Sequence, residues 1–135
     1  MRAEELIQKH RAEDVAVAVV PEIIDDENVW MVYLVNLKNT ALENVLVSSQ
    51  GYGEVNNKNF RTSELRHYIE KLEAHRYAKI EPIIEDVFGL NNEYWVSFYI
   101  NKTIYDKKFL FLPESIQETN FITIPFLNKK GVMIK

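Results

Sequence analysis

Three histidines, His10, His67 and His75, are the residues of this chain best able to hold a metal or move a proton near neutral pH. Glu64 precedes His67 by three positions, which would put both on one face of a helix. A metal site needs three or four converging ligands, and the sequence places no third beside them. Asp25-Asp26-Glu27 and Glu85-Asp86 offer paired carboxyls. General acid–base work requires two carboxyls in different environments inside a cleft, whereas acids clustered between strands stay solvated and ionised. Ser48-Ser49-Gln50-Gly51 lacks the strand–turn–helix setting of a nucleophile elbow, and no base is assignable to it. Four scattered glycines do not make a phosphate cradle, and the absence of cysteine removes thiolate chemistry and sulfur-bound zinc. No catalytic residue, metal or cofactor is implied.

What remains is recognition. Between residues 61 and 79 the bases Arg61, Arg66, Lys71, Arg76 and Lys79 interleave with Tyr68 and Tyr77. Basic and aromatic side chains together suit RNA, by phosphate pairing and base stacking. Glu64, Glu70 and Glu73 cut the excess to two positive charges, the balance of a solvated sheet face. Among the aromatics, Tyr52, Trp95 and Tyr99 are expected nearest the surface. Exposed together with Arg61, Arg66, His67 and Arg76, they would form an interaction surface.

The elements that must carry these residues are almost wholly β. Residues 15–20, Val-Ala-Val-Ala-Val-Val, are β-branched at alternate positions and closed by Pro21. Residues 29–37 are apolar on both faces, which predicts a central strand covered on both sides. The polar turn at residues 25–28 separates these two strands. A third strand covers residues 43–49, and Gly51-Tyr52-Gly53 with residues 56–59 predicts a mobile loop. Residues 62–72 read two ways. Leu65, Tyr68, Ile69 and Leu72 sit at helical spacing, while Leu65, His67 and Ile69 would share a strand face, the option favoured by β neighbours on both sides. Pro82 marks the strand at residues 77–84 as an edge or a bulge.

The clearest element is a hairpin. Pairing Ile100 with Thr103 sets Phe98 opposite Tyr105, Val96 opposite Lys107 and Tyr94 opposite Phe109. Only Lys107 offends this apolar face, which predicts a bulge or a snorkelling lysine. Residues 121–124 and 131–134 supply small closing strands. A short helix over residues 3–11 is marginal without docking.

The chain has 135 residues, 47% hydrophobic and 12% aromatic, enough for one domain. The reading is an all-β, immunoglobulin-like sandwich of about seven strands over residues 15–135, preceded by an extension over residues 1–14. The net charge of −4 disfavours nucleic acid as a partner. The acids concentrate before residue 28 and the lysines after residue 101, so the two ends are expected to complement one another. No secretory pattern and no long apolar run occurs, which predicts a cytoplasmic protein without a membrane span.

Residues 30–36, 41–47, Ser49-Gln50-Gly51-Tyr52-Gly53, 62–67, 78–81, Phe109-Leu110-Phe111 and Lys130-Gly131-Val132 resemble a group of short bacterial proteins often labelled phenylalanyl-tRNA synthetase alpha subunit. The resemblance runs from about residue 15 onward. It implies an accessory module associated with that synthetase or with tRNA. The class II catalytic domain of such a subunit requires a motif arginine for ATP and a Gly-rich strand with a second arginine. The chain has no such glycine–arginine motif, so no catalytic residue carries over. The sequence reads best as a non-catalytic module that binds a protein.

Overall fold

A computed structural model describes residues 10–135, which form two β-sheets packed face to face. The eleven strands are β1 (His10–Arg11), β2 (Val15–Ile24), β3 (Glu27–Asn36), β4 (Leu42–Val55), β5 (Lys58–Arg61), β6 (Leu65–Leu72), β7 (Tyr77–Ile83), β8 (Asn91–Ile100), β9 (Thr103–Phe111), β10 (Ile122–Thr123) and β11 (Lys130–Ile134). The larger sheet runs β1-β9-β8-β4, and the far edge of β4 is shared by β6 and then β5; the smaller runs β10-β11-β2-β3-β7. Every pairing is antiparallel except that of β1 with β9. The helix expected over residues 3–11 falls mostly outside the described residues; His10–Arg11 themselves are strand, and Ala12 is buried.

Short turns with left-handed backbone set the hairpins. Asp25 and Asp26 (φ 51° and 64°), Asn56 and Asn57 (52° and 64°), and Asn101 and Lys102 (48° and 68°) each close a two-residue connection. Positive φ at both positions suits the right-handed twist of paired strands, and Asn and Asp tolerate it best. The mobile loop expected around residues 51–59 is instead the tight β4–β5 ribbon, in which Tyr52 pairs with Arg61. Strand β2 continues through Pro21, which pairs with Trp30 beyond the last β11 partner at Val19. The missing N–H thus falls where only one neighbouring strand remains.

Residues 65–72 are strand β6, so β context prevails over helical spacing there. The β8–β9 register joins Ile100 to Thr103, Phe98 to Tyr105, Val96 to Lys107 and Tyr94 to Phe109, as alternation predicts. Lys107 is half-buried, with its ammonium 5.1 Å from the centre of the Phe109 ring.

The main core lies between the sheets, where Val17, Val19, Val32 and Leu34 meet Val45, Val47, Val96, Phe98 and Phe109. A second core covers the outer face of the smaller sheet, where Ile124 and Leu127 from the β10–β11 connection pack on Ala16, Ala18, Val20, Tyr33 and Val35. This double covering accounts for the apolar sequence of both faces of β2 and β3.

A polar network fastens that cover. Glu22 accepts hydrogen bonds from the Tyr33 hydroxyl and from Lys129 Nζ, the latter at 2.7 Å. This pair joins the acidic first part of the chain to its basic last part. Burial raises the Glu22 carboxyl, but the bonds from Lys129 and Tyr33 outweigh it and leave the group below its ordinary value of 4.5. A lowered folded-state value stabilises above the ordinary one, and that contribution is lost as pH falls through the folded-state value. Urea unfolding of the wild type and Glu22→Gln should therefore show a stability gap at pH 7 that closes below about pH 4.5. A gap independent of pH would contradict the assignment.

Candidate functional site

Two features of the sandwich can bind something. The first is a cavity of about 260 Å³ at the open side between the sheets, near the ends of β6 and β7. Its floor carries Glu81, 8% exposed, on the edge strand β7. Glu81 Oε1 accepts from Ser49 Oγ and pairs with His67 Nε2, each at 2.7 Å, while Oε2 receives only a long 3.4 Å contact from the Tyr94 hydroxyl. Burial, then the adjoining Glu81 charge and the hydrogen bond to it, push the Tyr94 phenol well above its ordinary value, so it remains a proton donor.

The backbone brings these groups together. Ser49 and His67 face inward on paired strands, at β4 and β6 respectively. A register shift where β3 meets β7, between Val32 and Tyr33, lets both Ile80 and Glu81 be buried. Between β5 and β6 the chain leaves the ladder: Thr62 N–H donates to the Gly51 carbonyl, and Thr62 Oγ1 accepts from Gly51 N–H. A side chain at Gly51 would press on Thr62 Cγ2 at 3.1 Å, so glycine keeps this wall open.

The arrangement of Ser49, His67 and Glu81 is not that of a nucleophilic dyad. In a nucleophilic dyad the hydroxyl gives its proton to histidine, but here hydroxyl and imidazole both address the same carboxylate oxygen. Among the described residues no three His, Asp or Glu side chains converge as metal ligands.

The second feature is the outer face of the larger sheet. Leu46, Tyr68, Trp95, Tyr99 and Ile104 lie there on four adjacent strands, 39 to 62% exposed. Leu46 is level with Tyr68, and Tyr99 with Ile104. Tyr68 is held by its hydroxyl, which donates to Asn44 Oδ1 at 2.6 Å. Arg66 and Lys108 stand level with Ser48 and Trp95, and Lys108 forms an ion pair with Glu93 at 3.5 Å.

The residues singled out from sequence fall in four places. Arg66, Trp95 and Tyr99 share the outer face. Tyr52 and Arg61 form a separate pair on the β4–β5 ribbon, with the guanidinium 5.6 Å from the ring centre. His67 points to the cavity side and pairs with Glu81. Arg76 sits in the β6–β7 turn, where its carbonyl accepts from Asn36 N–H. Sequence reasoning missed Glu81, Leu46 and Ile104. The outer-face residues had a signal, because strand alternation puts Leu46 and Ile104 opposite the core positions Val45, Val47 and Phe109. No helix among the described residues is long and apolar enough to cross a membrane. Compared with protein-family models, curated proteins and solved structures, the chain matches none.

Proposed function

We propose that this chain is a non-catalytic, immunoglobulin-like binding module whose partner is a protein docked on the outer face of the larger sheet. One observation carries the reading. The chain covers the outer face of its smaller sheet with its own Ile124 and Leu127, yet leaves five large apolar and aromatic side chains exposed on the other. Trp and Tyr at the centre of an exposed face, with charges at its rim, are side chains that dominate protein interfaces. Around them stand Glu43, Glu93 and Asp106 with Arg66, Lys71 and Lys108, so the complementary surface is apolar at its centre and carries both signs of charge at its edge. The chain's net charge of −4 disfavours tRNA, the partner implied by the resemblance to synthetase-labelled proteins.

The test compares immobilised wild type with Trp95→Glu in cytosol, after confirming that both melt alike. A protein retained by the wild type and weakened at least about tenfold by Trp95→Glu is the expected result. Equal retention by both, or no reproducible protein, overturns the reading. Recovery of RNA with a steep salt dependence would replace it with the tRNA alternative.

A further inference from the structure

We infer that the cavity above Glu81 is a binding site for a primary ammonium group carried on an apolar stem. This inference does not rest on the outer-face reading, since the two sites use different side chains.

Charge decides the sign of the ligand. Glu81 is the one acidic or basic side chain lining the cavity, so the wall offers an anion a carboxylate and no cation to offset it. His67, the nearest base, pairs with Glu81 Oε1, whereas Oε2 has only the long contact to Tyr94. Acceptor capacity therefore remains on one oxygen. A guanidinium prefers two parallel bonds to both carboxylate oxygens, but an ammonium is a point donor that one oxygen satisfies. Asn92 provides the second acceptor. Its amide hydrogens go to the carbonyls of Val87 and Leu90, at 2.9 and 3.2 Å, which leaves Oδ1 unused beside Gly51.

Shape decides the rest of the ligand. Leu65, Pro82, Ile83, Ile84 and Val87 make the remaining wall largely apolar. About 260 Å³ is smaller than the pockets that enclose whole drug-sized molecules, and it suits one side chain or one short alkyl group. An apolar stem ending in an ammonium satisfies both parts of the cavity, as a lysine side chain or a free alkylamine would.

Titration of the isotope-labelled 135-residue chain with hexylamine, hexanol and hexanoate, followed by amide NMR, tests this. Hexylamine should shift amides around the cavity, including Gly51, Leu65 and Asn92, and bind at least about tenfold more tightly than hexanol; hexanoate should not bind. Glu81→Gln should remove that preference. The wild-type comparison stands without the variant, should it fold poorly. Nα-acetyl-lysine methylamide and its Nζ-acetylated form then separate the sources. Tighter binding of the lysine compound than of hexylamine assigns the site to a partner's side chain, and the reverse assigns it to a small amine. Equal affinity for hexylamine and hexanol, or no cavity shifts at millimolar amine, would overturn the inference.

Discussion

Substituting Asn36 with Asp should cost the fold about 4 kcal/mol. Asn36 is fully buried at the end of β3. Its two amide hydrogens are shared among the carbonyls of Thr40, Leu72 and Glu73, at 2.9, 3.2 and 3.1 Å, and its Oδ1 accepts from Lys38 N–H at 3.0 Å. One side chain thus ties the β3–β4 connection to the end of β6. An Asp carboxylate would set a buried negative charge against three carbonyl oxygens, with no hydrogen to give them. Asn36→Ala, which removes the bonds without adding charge, should cost roughly 2–3 kcal/mol and lower Tm by roughly 10 °C.

Acid separates the two variants. A buried Asp in that setting has its folded-state pKa raised, so its penalty is small below the ordinary value and grows as pH rises toward the folded-state one. The Asn36→Asp deficit relative to wild type should shrink on moving from about pH 7 to about pH 4, while the Asn36→Ala deficit stays constant. Urea midpoints across that range provide the measurement. An Asp variant as stable as wild type at neutral pH would dismiss the bracing role.

Gly131→Ala is expected to cost about 3 kcal/mol by a different route. Gly131 lies in β11 directly over the backbone of β2. A Cβ there would overlap the Val19 carbonyl oxygen and come within 2.9 Å of Val20 Cγ2. The obstacle is backbone, which cannot swing aside as a side chain would, so β11 must lift from its partner. A lowered urea midpoint with an unchanged slope is the expected signature. Gly51→Ala, on the larger sheet, meets a threonine methyl at 3.1 Å and should be much milder. If Gly131→Ala matched wild type, the close approach of β11 to β2 would be in doubt.

The sequence allowed the fold to be read wherever alternation was uninterrupted. The β8–β9 register follows from the order of Tyr94, Val96, Phe98 and Ile100, and the doubly covered β3 follows from its unbroken apolar run. Asn36 is visible as the polar end of that run, but its four bonds join segments that meet only in the folded chain. Glu81 was hidden for a related reason. Strict alternation along β7 would send one of Ile80 and Glu81 outward, and a one-residue slip against β3 turns both inward. The Tyr52–Val55 stretch read as loop because its glycines and asparagines carry turn chemistry, although the turn itself occupies only Asn56 and Asn57. The outer face was half legible, through Arg66, Trp95 and Tyr99, because exposure of a single aromatic depends on whether another segment later covers it.

The placement of β11 against β2 has a consequence for how the chain reaches this state. Val19 and Val132, near opposite ends of the described chain, are direct partners, and His10 likewise pairs with Tyr105. The β2–β3 and β8–β9 ribbons need only a two-residue turn and can form within microseconds. Closure of either sheet at these outer strands must wait for loops of most of the chain's length, the entropic delay that gives all-β sandwiches millisecond-to-second folding. Until then the apolar row of β2, residues Val15 to Val20, has β3 on one edge and nothing on the other. During that interval the nascent chain is most open to pairing with a second copy of itself, and the late arrival of Gly131 and its neighbours ends the exposure.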